Sequence, residues 1–135
     1  MIGSSTKNWL LGHMGDAPFT FAEARRAAHD ASRRQIDAEH QRVECARTAA
    51  EKRRVYHMAL SRRIVELHAE GVAWTVAGDI ARGDETVAAA RYERDVAEAV
   101  SEAQEQAGYR LNADRRVLEQ LVRWSHSREI AEGGA

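Results

Sequence analysis

Arginine is the residue type in this chain best placed to do chemistry. Of 20 basic residues only Lys7 and Lys52 are lysines, and the rest are arginines. Spaced at about 100° per residue on a helix, Arg25, Arg26, Arg33, Arg47, Arg54 and Arg62 fall within about 100° of the circumference. A stripe of guanidinium groups can follow a phosphate backbone. Aromatic rings beside it would serve as stacking platforms for single-stranded bases. Tyr56 next to Lys52-Arg53-Arg54, Tyr109-Arg110 and Arg123-Trp124 supply such neighbours. Both features have a plainer reading. Asp30, Asp37, Glu51 and Glu66 follow Arg26, Arg33, Arg47 and Arg62 at i+4, the spacing of a self-neutralised, solvated helix face. Rings at helical spacing also serve as core or edge packing.

The other reactive residue types form no constellation. The six histidines, at 13, 29, 40, 57, 68 and 126, show neither an H-E-x-x-H pattern nor an i, i+4 pair, so no metal site is expected. His57 projects onto the apolar face and is expected to be packed. Cys45, the single cysteine, has no internal partner, which suits a reducing compartment. Glu98, Glu102 and Glu105 share one exposed arc, whereas working carboxylates face each other across a cleft. With no Gly-rich phosphate loop and no G-x-S-x-G, the expectation is a protein that is not an enzyme, with no cofactor and no small-molecule substrate.

Composition narrows the partners. The net charge is −1, without the basic excess of a dedicated duplex-DNA binder. No apolar run approaches the roughly 18 residues of a membrane span. The stretch Trp9-Leu10-Leu11 is too short for a signal-peptide core. A cytoplasmic location is expected. The arginine bias points to a high-GC genome.

Several elements must position these residues. Residues 1–19 lack periodicity and read as a flexible arm, whose Trp9, Leu10 and Leu11 are a strap on the body or a docking motif for a partner. Thr20-Phe21-Ala22-Glu23 has the form of a capping box, and no helix breaker follows until Glu70. The projected apolar face includes Phe21, Ala24, Ala28, Ala31, Val43, Ala46, Ala50, Leu60, Ile64 and Leu67. Gly71 suits the residue just past a helix end. Thr75 can cap a short helix over 76–81, and Asp84 can cap a last helix reaching about Ile130. The face of that helix takes in Val96, Val100, Ala103, Ala107, Leu111, Leu118 and Leu121, with Tyr92, Val117 and Trp124 at its margins. Gly108 interrupts it, as a kink or a close helix approach would require. Residues 20–70 carry 11 basic and 8 acidic side chains, whereas 79–132 carry 8 and 12. The expected fold is therefore all-α, a long antiparallel, coiled-coil-like hairpin over 20–131 with its turn at about 71–83. Residues 132–135 are expected to form a disordered tail. Two helices bury little surface, so self-association into a homo-oligomer is expected.

Gly71 with the Thr75-x-Ala77 turn, then Asp95-x-Ala97-Glu98, then the Leu111/Leu118/Leu121 seam ending in Arg123-Trp124 carry a resemblance over roughly 40–128. In these the chain resembles small helical proteins encoded among the recombination genes of phages of high-GC bacteria and, more distantly, phage recombination mediators. The resemblance implies a non-enzymatic homo-oligomer that binds single-stranded DNA and assists a recombinase or annealing protein. Arg53, Arg54, Arg62, Arg63, Arg115 and Arg116 would then contact the nucleic acid, together with Arg47 of the stripe. A tryptophan in the turn is also similar to small secreted hairpins with a W-x-G turn, with Trp74-x-x-x-Gly78 in its place. The alternative class is a structural coiled-coil assembly protein (a virion or scaffold component) or an inhibitor of a host protein, neither needing nucleic acid.

Overall fold

The computed structural model describes residues 20–133, which contain three helices and no strand: α1 (Phe21–Ala69), α2 (Trp74–Arg82) and α3 (Glu85–Gly133). The proposed arm, with Trp9, Leu10 and Leu11, lies outside the described residues. The capping box at the head of α1 is formed. Thr20 Oγ1 accepts from the Glu23 N–H at 3.1 Å, and the Glu23 carboxylate accepts from the Thr20 N–H at 3.2 Å. Asp84 caps α3 by accepting from the Thr86 and Val87 N–H groups at 3.0 and 3.3 Å. α3 runs to Gly133, beyond the end expected near Ile130, so Glu132 and Gly133 are helical and not part of a disordered tail.

Gly71 ends α1 with a φ of 99°. The N–H of Val72 reaches the Leu67 carbonyl and that of Gly71 the His68 carbonyl, both at 3.0 Å, a Schellman motif. This tight reversal lets α2 begin at Trp74, with Ala73 at the N-cap and no side-chain cap. Thr75 therefore lies inside the helix it was expected to open. Only glycine holds a φ of this sign without strain, so Gly71→Ala should cost about 1–2 kcal/mol. Urea denaturation would read the loss directly, and an unchanged midpoint would refute it.

Contacts divide the chain into two compact units, and α1 and α3 each contribute residues to both. Among the described residues one unit holds 20–41 with 105–133, and the other Arg42–Gln104. Within the first, α1 and α3 run antiparallel: the Phe21 ring meets His126 at 4.7 Å, and Gln35 donates to Asn112 at 3.3 Å. It buries Ala24, Ala31 and Ala38 from α1, and Asp114, Leu118 and Ser125 from α3. Ser125 Oγ donates to the Leu121 carbonyl at 2.7 Å, which satisfies the buried hydroxyl inside its own helix.

In the second unit Ala49, Tyr56 and Leu67 of α1 and Val87 of α3 are buried, with Cys45, Lys52 and Arg94 half-buried. Leu67, Ala77 and Ala81 form a buried apolar cluster, joined by Leu60, Ile64 and Val72, so α2 covers one flank of the end of α1. The charged arms meet with the expected signs: Lys52 with Glu93, Arg53 with Glu98 and Arg63 with Asp84 each pair a base of α1 with an acid of α3 or of its cap.

Two projected faces are displaced. Val43, Ala46 and Ala50 are exposed, and so are Val96, Val100 and Ala103. Burial instead repeats at sevens, through positions 24, 31, 38, 45 and 52 on α1 and 87, 94, 101, 108, 115 and 122 on α3. A projection at 3.6 residues per turn drifts about 20° per heptad from such a 3.5 repeat, and over several heptads it names the wrong neighbour. Gly108 belongs to this seam, yet a Cβ added there would meet nothing within 4 Å. No close approach requires the glycine. Gly108→Ala should therefore stabilise the helix by about 0.5–1 kcal/mol, and a lowered melting temperature would contradict this.

Candidate functional site: the arginines and the uncovered apolar flank

The seven arginines assigned to nucleic acid are mostly engaged. Arg47 pairs with Glu44 at 3.0 Å and Arg53 with Glu98 at 2.9 Å. Arg54 holds Glu51 through two guanidinium nitrogens. Arg63 lies between Glu66, Glu70 and Asp84, at 3.2, 3.9 and 3.3 Å. Arg115 binds Glu119 and the Asn112 amide oxygen. Arg62 and Arg116 alone of the seven have no carboxylate partner among the described residues.

Sequence spacing explains this arrangement. Positions 26, 33, 47 and 54 form a basic row along α1, and Glu23, Asp30, Asp37, Glu44 and Glu51 form an acidic row three residues before it. Hydrogen bonds from Arg54 hold the Glu51 carboxyl below the usual carboxylate range. The pair is exposed to solvent, so it neutralises the face without adding much stability. Charge counts agree for both units. The described part of the first has nine basic and nine acidic side chains, and Arg42–Gln104 has ten and eleven.

The aromatic platforms divide. Tyr56 is 6% exposed, with the Arg94 guanidinium 4.3 Å from its ring centroid, so no base can stack on it. A hydrogen bond to Asp95 raises the pKa of Arg94 above the ordinary guanidinium value. Tyr109 and Trp124 are exposed, with Arg110 beside the first and Arg128 over the second at 4.9 Å. His57, expected to be packed, is exposed beside Tyr56, because the seam follows position 56 and turns 57 outward. Among the described residues no group of three or more His, Cys, Asp and Glu is placed to hold a metal ion. No described helix is long and apolar enough to cross a membrane.

What the sequence reading missed is an apolar flank. In Arg42–Gln104 ten large apolar side chains are exposed, among them Val55, Met58, Val65, Tyr92, Val96 and Val100, whereas Tyr56, Leu67 and Val87 are the large ones fully buried. Three of the ten, Trp74, Val76 and Ile80, belong to α2, and the Trp74 ring stacks on His68 at 3.6 Å. Between α1 and α3 lies a groove of about 340 Å³ lined by Cys45, Thr48, Val96, Ala97 and Val100, with Glu44, Lys52 and Glu93 at its edges. The signal was present in the sequence: once 94 and 101 are assigned to the seam, Val100 falls about 100° from it and Val96 about 160°, so neither can be core. Comparison of the chain with known protein families, curated proteins and solved structures finds no match.

Proposed function

We propose that this protein is a non-enzymatic helical assembly module that works by associating with itself. The observation that carries this reading is the excess of exposed over buried large apolar side chains in Arg42–Gln104. Val96 and Val100 of that set lie side by side in the groove with Cys45 and Thr48, and apolar surface gathered in this way marks an interaction site. The seam itself is built largely from alanine, serine and long polar side chains, which bury little apolar area at about 25 cal/mol per Å². Association supplies burial that the two helices lack alone. Single-stranded DNA binding as a recombination accessory has less support, since five of the seven candidate arginines already hold carboxylates.

Sedimentation over a hundredfold range of concentration tests the reading. The expected result is an oligomer whose melting temperature rises with concentration, because anything that binds only the folded state stabilises it by mass action. A monomer with a fixed melting temperature overturns it. Fluorescence anisotropy with a labelled single-stranded oligonucleotide separates the two classes. Tight binding that weakens steeply with salt would restore the mediator-like reading.

A further inference from the structure

The groove between α1 and α3 in Arg42–Gln104 is self-complementary. On α1, Glu44 and Lys52 lie four residues to either side of Thr48, about 6 Å each way along the helix. On α3, Val96 and Val100 lie two residues to either side of position 98, which the Arg53–Glu98 and Lys52–Glu93 pairs bring close to the level of Thr48. Consider a two-fold axis in the plane of the face, crossing both helices at that level. It sets α1 against α1 of a second copy, antiparallel, and α3 against α3. Glu44 then meets Lys52 of the second copy and Lys52 meets its Glu44, while Val96 packs on Val100 in both directions. An unrelated helix has no reason to present opposite charges at this spacing, whereas a second copy does so by symmetry.

The competing contacts are weak. Glu44 is held by Arg47 and Lys52 by Glu93 at 3.8 Å, and each of these four side chains is 41–72% exposed. Such pairs exchange partners at little cost. The opposite flank of this unit is unsuited to the role, since α2 covers Leu60 and Ile64 there, and Arg53 and Glu98 bridge the helices. We infer that this groove is an isologous interface, in which two copies of the chain pair through Thr48, Val96 and Val100, with Glu44 and Lys52 fixing the register. The inference rests on the self-association proposed above and names its surface.

Cysteine cross-linking and charge exchange test it on the full chain. In a Cys45→Ser background, Thr48→Cys places a thiol on the axis, and mild oxidation should convert most of the protein to a disulfide-linked dimer. Ala50→Cys, exposed and two residues away, should cross-link little. Lys52→Glu should raise the dimer dissociation constant about tenfold, since symmetry sets two like-charge contacts in place of two favourable ones. Glu44→Lys/Lys52→Glu should restore it to within about threefold, with helix content by circular dichroism unchanged throughout. An oligomer indifferent to Lys52→Glu, with Thr48→Cys no more cross-linked than Ala50→Cys, overturns this interface and leaves self-association standing. A chain monomeric at every concentration overturns both.

Discussion

Leu67→Ala should cost about 2–3 kcal/mol and should release α2 before the rest of its unit unfolds. Leu67 is 4% exposed and packs with Ala77 and Ala81, both 0% exposed, while Leu60, Ile64 and Val72 close the edges of the cluster. Two of the three buried members are alanines, so the leucine supplies most of the volume. Its truncation leaves a gap that two short side chains cannot fill. The cost lies at the lower end of the range for leucine truncation because the cluster borders solvent. α2 has only nine residues, below the length at which an isolated helix holds in water. It persists because Ala77 and Ala81 dock against α1. Amide exchange at these two alanines should therefore rise far more than exchange within 85–104. The Leu67 carbonyl also accepts the Val72 N–H at the reversal, and that bond is kept in the variant, which separates packing from capping. Unaltered stability with full protection of α2 would show that the cluster does not hold it.

Local chemistry was legible where a single residue type decides the backbone. The capping box at Thr20 and Glu23, the positive φ of Gly71 and the Asp84 cap follow from side-chain oxygens or a missing Cβ within four residues. Opposite charge on the two arms likewise anticipated the Lys52–Glu93 and Arg63–Asp84 pairs. Which residues enter the seam was not legible, because that depends on a phase carried over 49 residues of helix. An error of 20° per heptad is enough to exchange Cys45 and Ala49 for Ala46 and Ala50. The same error hid the site. Val96 and Val100 look like core under a 3.6 repeat and like an exposed flank under a 3.5 repeat. Alanine gave no help, since it is tolerated at both kinds of position and contributes little to any hydrophobic periodicity. The start of α2 escaped for another reason: the compact reversal at Gly71 consumes only Val72 and Ala73, so the helix begins before the residue best able to cap it.

Tyr56→Ala should be the most damaging single change in the seam, at about 3 kcal/mol. Around Tyr56 the inward positions of α1 are Ala49, Lys52, Ala59 and Arg63, with Leu60 half-buried toward α2, so the ring is the one large apolar side chain fully buried between Ala49 and Arg63. At 6% exposure it is nearly removed from water, and none of these neighbours can expand into its place. Arg94 of α3 lies over the ring at 4.3 Å while hydrogen bonds at 2.9 and 2.7 Å tie its guanidinium to Asp95. The ring thus links the two helices through a cation held in position from the other side. Tyr56→Phe keeps both the volume and the cation–π contact, and should change stability by less than about 1 kcal/mol. Arg94→Met should cost about 1 kcal/mol alone but almost nothing in the Tyr56→Ala background, because the contact is then already lost. The cycle also bears on function. A buried ring under an arginine cannot stack on a nucleotide, so Tyr56→Phe should leave any residual oligonucleotide affinity unchanged. Tyr56→Ala should weaken self-association only as far as it unfolds the seam beside the Val96–Val100 groove. Equal losses for the alanine and phenylalanine variants would place the energy in the hydroxyl and not in the ring, and would overturn this account of the seam.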